Sequence, residues 1–342
     1  MSDETQRIVR AVHTAVRIPG AAEPYDTAHL KVSYPGRLTG SERERNFGVV
    51  EPDREQAPPW PVVLFLGGID IPSATYQWLG RALVERGVVF ATYDWVASPM
   101  PGHVALTPGL DLDAVRPETY GTTPTSPALR PVLDALAMLG ATGHLEGMLD
   151  LDRVVLGGHS AGGAVALHNA RRAFFPEVRA AFSYAAHAAA STMLGYEPAS
   201  FLPLGDQVPL LLMTGSADGV IASSAGRYGL DRWPADPVET TFERAASDRA
   251  PRYFARLQGA GHFLIAHPHD AATGRAFLEP PAASGATLRA ELVTLIADLV
   301  AAHTRGDEVA HDRLVRRLEA RDHKNVSGRV RVPVGHLQRG EG

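Results

Sequence analysis

Cysteine is absent from the chain, so it can hold neither a disulfide nor a thiolate-bound metal. Basic residues do not predominate: 33 Lys and Arg stand against 38 Asp and Glu, a net charge of −5. Nucleic acid or an anionic membrane surface would require a basic patch, and the composition offers none. Long apolar runs are missing too. The longest sheet-like ones, residues 61–66 and 209–213, fall far short of the ~18 residues a membrane span needs. The opening Met1-Ser2-Asp3-Glu4-Thr5-Gln6-Arg7 is acidic and polar, whereas a secretory leader starts basic and continues with roughly 7–15 apolar residues. These absences lead to the expectation of a cytoplasmic protein with no nucleic-acid or membrane partner.

What is present suits a globular enzyme-sized domain: 45% of the residues are hydrophobic and 21% charged, enough for a sizeable core. Leu30, Val32 and Tyr34 alternate before Pro35-Gly36, as in an edge strand, and residues 46–50 could pair with it. Residues 62–66 are continuously apolar, as in a strand buried on both faces of a parallel sheet. Ser73 is placed to cap a helix bearing Tyr76, Leu79, Leu83 and Val84 and ending at Gly87. Further strands are expected at 88–93, 153–156, 178–184, 209–213 and 253–257. Helices are expected from Ser126-Pro127 to Gly140, over 161–174 and over 287–302. Strands alternating with helices predict an α/β architecture with a mostly parallel central sheet and helices on both faces.

The expected organisation is an N-terminal extension over 1–27, one α/β domain over 28–320, and a loosely ordered basic tail over 321–342. Two stretches interrupt the alternation. Residues 98–131 hold prolines at 99, 101, 108, 117, 124, 127 and 131, and residues 222–251 hold Tyr228, Trp233 and Phe242. Long irregular segments in compact domains tend to be lids or binding loops. Both follow sheet strands at the carboxyl side, where open α/β sheets bind ligands.

Gly158-His159-Ser160-Ala161-Gly162 fits G-x-S-x-G between an expected strand and a small-residue helix. Such a turn forces the serine into a strained conformation that only small neighbours permit, and its hydroxyl then projects above the sheet. A serine hydroxyl is a weak nucleophile without an adjacent base held by a third group. In folds built on this elbow the partners follow in the order Ser, Asp or Glu, then His. Asp218 ends the loop after the 209–213 strand, and His262 follows the last strand in Gly259-Ala260-Gly261-His262-Phe263. Ser160, His262 and Asp218 are therefore the expected nucleophile, base and acid. The competing acids Asp94, Asp206 and Asp231 and histidines His187, His267 and His269 lack that placement and are expected to be structural or superficial, as is His159. The oxyanion donors are expected to be the backbone N–H groups of Ala161 and of Ile69, in the Gly67-Gly68-Ile69-Asp70 loop. The Asp70 carboxylate is expected to turn away from that hole. His267, His269 and Asp270 have no specific ligand spacing, and no metal or other cofactor is expected.

These stretches resemble the α/β-hydrolase superfamily over roughly residues 30–304. The nearest branch is that of cutinase-like polyester hydrolases, chlorophyllases and dienelactone-hydrolase relatives. The resemblance rests on the 61–68 strand and loop with the following Tyr76-Gln77-Trp78-Leu79-Gly80 helix, on Gly158-His159-Ser160-Ala161-Gly162-Gly163, on Gly215-Ser216-Ala217-Asp218 and on Gly261-His262-Phe263. It implies cofactor-free hydrolysis of a carboxylic ester through an acyl-enzyme. Gly67 stands where many relatives carry histidine, and the insertions are long for an open polymer cleft, so the expected partner is a small or medium hydrophobic ester. Acyl transfer or lactonisation on the same triad is an alternative. A third is a non-catalytic binding protein on the same scaffold, to which an intact Ser, Asp, His set is opposed.

Overall fold

In the computed structural model, residues 7–100, 102–279 and 281–333 are described; the chain's first six residues and the tail beyond 333 lie outside them. The strands are β1 (Arg7–Arg17), β2 (Thr27–Arg37), β3 (Glu51–Pro52), β4 (Trp60–Leu66), β5 (Val89–Met100), β6 (His103–Leu106), β7 (Leu149–His159), β8 (Val178–Tyr184), β9 (Leu210–Gly215), β10 (Arg252–Leu257) and β11 (Val326–Arg331). The helices are α1 (Glu42–Phe47), α2 (Gln77–Val84), α3 (Leu129–Ala141), α4 (Ala161–Asn169), α5 (Gly219–Ala222), α6 (Pro237–Thr240), α7 (Gly285–Arg305) and α8 (Glu308–Glu319). All the strands join one sheet of order β1-β2-β5-β4-β7-β8-β9-β10-β11, with β3 beside β2 and β6 beside β5. From β5 to β10 every neighbour is parallel, and antiparallel strands flank that centre. The protein is thus mixed α/β around a large, mostly parallel sheet.

The parallel centre forms where the sequence is apolar without alternation. Every residue of β4 and of β9 is buried, because helices cover strands that alternation would leave half wet. α4 and α7 each pack against β7 and β8, and α2 packs on β5 and on α7. Since β4, β7, β9 and β10 run parallel, the loops that leave their carboxyl ends meet along one sheet edge. Ile69, Ser160, Asp218 and His262 all lie in those loops.

The margins differ from the expectations. Residues 7–17 of the expected extension form β1, paired with β2 along its whole length. β2 is accordingly interior, and it runs on through Pro35-Gly36 instead of turning there. Its third partner is Glu51–Pro52, while part of the expected 46–50 strand belongs to α1. Ser73 does not cap a helix; its N–H and hydroxyl both donate to Asp94, at 2.8 and 2.6 Å. α4 stops at Asn169, short of the expected 174, where the Asn169 side chain bonds Thr125 and the Val165 carbonyl. In the expected tail, residues 326–331 form β11 against β10, and α8 precedes it. No helix among the described residues is long and apolar enough to cross a membrane.

Candidate active site

Ser160 sits at φ 54° and ψ −124° between β7 and α4, a conformation that costs a non-glycine residue about 1–3 kcal/mol. The surrounding glycines make it possible. A Cβ on Gly158 would collide with the backbone of Gly162, and one on Gly162 with the carbonyls of Leu66 and Gly67. The tightness of the elbow therefore depends on Gly158, and its close approach to the end of β4 on Gly162.

Ser160, Ala161, Ile69 and His262 line one cavity of about 340 Å³. Asp218 lies behind it: His262 Nδ1 and Asp218 Oδ2 are 2.9 Å apart, with both side chains only 4% exposed. The other Asp218 oxygen accepts the Ile221 N–H at 2.8 Å, which fixes the carboxylate's orientation. His262 lines the same cavity as Ser160. An imidazole held this way by a buried carboxylate keeps the tautomer that can accept a proton at Nε2.

A buried chain of hydrogen bonds joins the Ile69 loop to His262. The Gly68 N–H donates to the Tyr76 hydroxyl at 3.0 Å, that hydroxyl lies 3.0 Å from His159 Nδ1, and His159 Nε2 lies 3.0 Å from the His262 carbonyl. One assignment gives each contact a single proton: Tyr76 donates to Nδ1, and the Nε2–H donates to the carbonyl. His159 is thus a neutral bridge, and burial, reinforced by the nearby His262, holds its pKa well below that of a free imidazole. With the Gly68 N–H engaged, the next donor in the loop is Ile69. Neither the Ile69 nor the Ala161 N–H has a hydrogen-bond partner among the described residues.

Asp70 does turn away. At φ 56° its N–H donates to the Leu106 carbonyl at 3.0 Å, and its carboxylate accepts the Leu106 N–H at 3.2 Å. The 98–131 segment thereby pins the Ile69 loop through β6, yet only Leu110 of it lines the cavity. The 222–251 segment contributes Ser224, Arg227 and Tyr228 to the lining.

Two residues escaped the sequence. His187, expected to be structural or superficial, lines the cavity, with Tyr228 and Trp233 rings 5.0 and 5.3 Å away; burial lowers its pKa to about 4. Glu279, 17 residues beyond His262, accepts the His262 N–H at 2.6 Å and those of Gly219 and Val220. No local motif points to either. Of the remaining candidates, Asp94 binds Ser73 and Asp206 pairs with Arg249 at 3.2 Å. His267 and His269 line a separate cavity of about 420 Å³. No group of three His, Asp or Glu side chains among the described residues is arranged to hold a metal. No protein-family model matches the chain, and no curated protein matches it.

Proposed function

We propose that this protein is a serine hydrolase of the α/β-hydrolase fold that cleaves a carboxylic ester through an acyl-enzyme. The observation that carries the reading is the strained Ser160 elbow opening into the cavity that His262 also lines, with His262 held by the buried Asp218. His262 Nε2 takes the Ser160 proton as the oxygen attacks the ester carbonyl. Asp218 steadies the imidazolium, and the Ile69 and Ala161 N–H groups receive the oxyanion. Collapse expels the alcohol, which takes the proton from His262; water then attacks the acyl-serine by the same route. Ile71, Leu110 and Phe263 in the lining suit a small or medium substrate with apolar surface, and the volume lies at the lower end of ligand cavities.

Fluorophosphonate labelling followed by peptide mapping tests this. The native protein should label at Ser160, and Ser160→Ala should remove both labelling and ester turnover, by about 10⁶ in kcat, with the fold intact. Undiminished labelling of the variant at another serine would sink the assignment.

A further inference from the structure

The cavity beside Ser160 is lined by two cations, the exposed Arg227 and the half-buried Arg275. Its only side chains of fixed charge are Arg227 and Arg275, and no Asp or Glu is among its lining residues. Neither guanidinium pairs with a carboxylate or forms a hydrogen bond among the described residues. Elsewhere in this chain, whose acids outnumber its bases, some arginines are shared between acids: Arg256 meets Asp236 and Glu239, and Arg329 meets Glu239 and Glu243.

The two arginines also act on each other. Burial first, and the like charge of Arg227 second, disfavour the protonated form of Arg275. Both cations bear on the Tyr228 hydroxyl, next in the chain to Arg227, though burial outweighs them there. Arg227 stands in the turn after α5, and Arg275 in the loop between His262 and Glu279. Gly274 approaches the Ile69 carbonyl so closely that a Cβ would lie 3.1 Å from it, so Arg275 is anchored beside the candidate oxyanion loop. Two guanidiniums of like sign facing one small cavity repel until an anion sits between them, and the planar fork of arginine matches a carboxylate.

We propose that the substrate is an ester bearing a carboxylate, held by Arg227 and Arg275 while its carbonyl lies at Ser160. The substrate class is then the half-esters of short dicarboxylic acids and other anionic esters of similar length. The apolar lining takes the connecting carbons and the arginines take the charged end. This inference rests on the ester-hydrolase reading of the site.

Two para-nitrophenyl esters of equal chain length, the neutral pentanoate and the anionic half-ester of glutaric acid, test it. The native protein should favour the anionic ester in kcat/KM by about tenfold or more, less so as salt rises. Arg275→Gln and Arg227→Gln should each lower that ratio several-fold, and the double variant should bring it to about one. Calorimetry of monomethyl glutarate with the Ser160→Ala protein reads the subsite without chemistry; binding should vanish when both arginines are replaced. Equal turnover of both esters, with a ratio the variants do not move, would overturn the subsite while leaving the hydrolase standing. Arginine-dependent binding in a protein that cleaves neither ester would uphold the subsite and sink the hydrolase reading.

Discussion

The Glu279 carboxylate, 8% exposed, has no cation within ion-pair distance among the described residues. Its oxygens go instead to backbone N–H groups on both sides of the site: Gly219 and Val220, which follow Asp218, and His262 itself. One side chain thus ties the acid's loop to the base's loop, beside the Tyr184 hydroxyl, which donates to the Gly261 carbonyl at 2.6 Å. In Glu279→Gln the amide oxygen can serve only one side, and the amide nitrogen would oppose the other's N–H. We expect kcat to fall about 10–100-fold with KM changed little, since small displacements of a positioned group cost rates of that order. The unsatisfied buried group should also cost about 1–3 kcal/mol of stability. A kcat within twofold of the native value in a folded variant would show that the tie does not position His262. Ser160, Asp218 and His262 were legible because each belongs to a strand-end loop with a recognisable residue pattern. Glu279 was not, because its partners are backbone amides, which any residue supplies.

At the scale of elements, β6 acts on the candidate oxyanion loop rather than on the cavity. Leu106 and Asp70 exchange two hydrogen bonds while Asp70 holds a left-handed conformation, which asparagine and aspartate tolerate better than other non-glycine residues. Asp70→Ala should remove the carboxylate's bond to Leu106 and add backbone strain, lowering kcat about tenfold by loosening the Ile69 N–H. Asp70→Asn keeps an acceptor and the conformation, and should restore most of the rate. An alanine variant as fast as the asparagine one would refute the clamp. The sequence disclosed β4, β8 and β9 because double burial leaves an apolar run with sharp ends. It hid β1, whose burial is slight along most of its length and whose Arg7, Arg10, His13 and Arg17 read as solvent-facing loop, though charge is also how an edge strand resists pairing with strangers. β11 is short, with Gly328 where an inward side chain would strike Phe254 and Leu318, so its alternation is faint. β6 and the end of β5 were masked by the prolines around them.

Taken whole, the molecule keeps several imidazoles away from water, and this sets how its stability must respond to acid. His159 and His168 are buried and His187 is half-buried, and desolvation is the leading reason each resists protonation; His168 is brought down to about 3 and His187 to about 4. His13 and His267 shift the same way, but they lie near the surface and count for less. In the unfolded chain each imidazole accepts its proton near ~6.5. Above that pH neither state holds these protons, so their neutral burial is free of penalty. Below it the unfolded chain takes up protons that the folded one refuses, and stability falls until the folded-state values are reached. Three such groups give a slope of about 4 kcal/mol per pH unit between about pH 6 and 4. A domain is typically stable by only ~5–15 kcal/mol, so by about pH 4 this loss is comparable in size with the whole stability. Urea titrations at pH 7.5, 6 and 5 should show the midpoint dropping steeply only below about pH 6.5. His168→Gln, which keeps a polar group beside the Tyr120 hydroxyl at 3.0 Å, should flatten that slope by about a third, as removal of one titrating group of three requires. A midpoint unchanged from pH 7.5 to 5, or a slope the substitution leaves as steep, would mean that these histidines are protonated as readily in the folded chain as outside it.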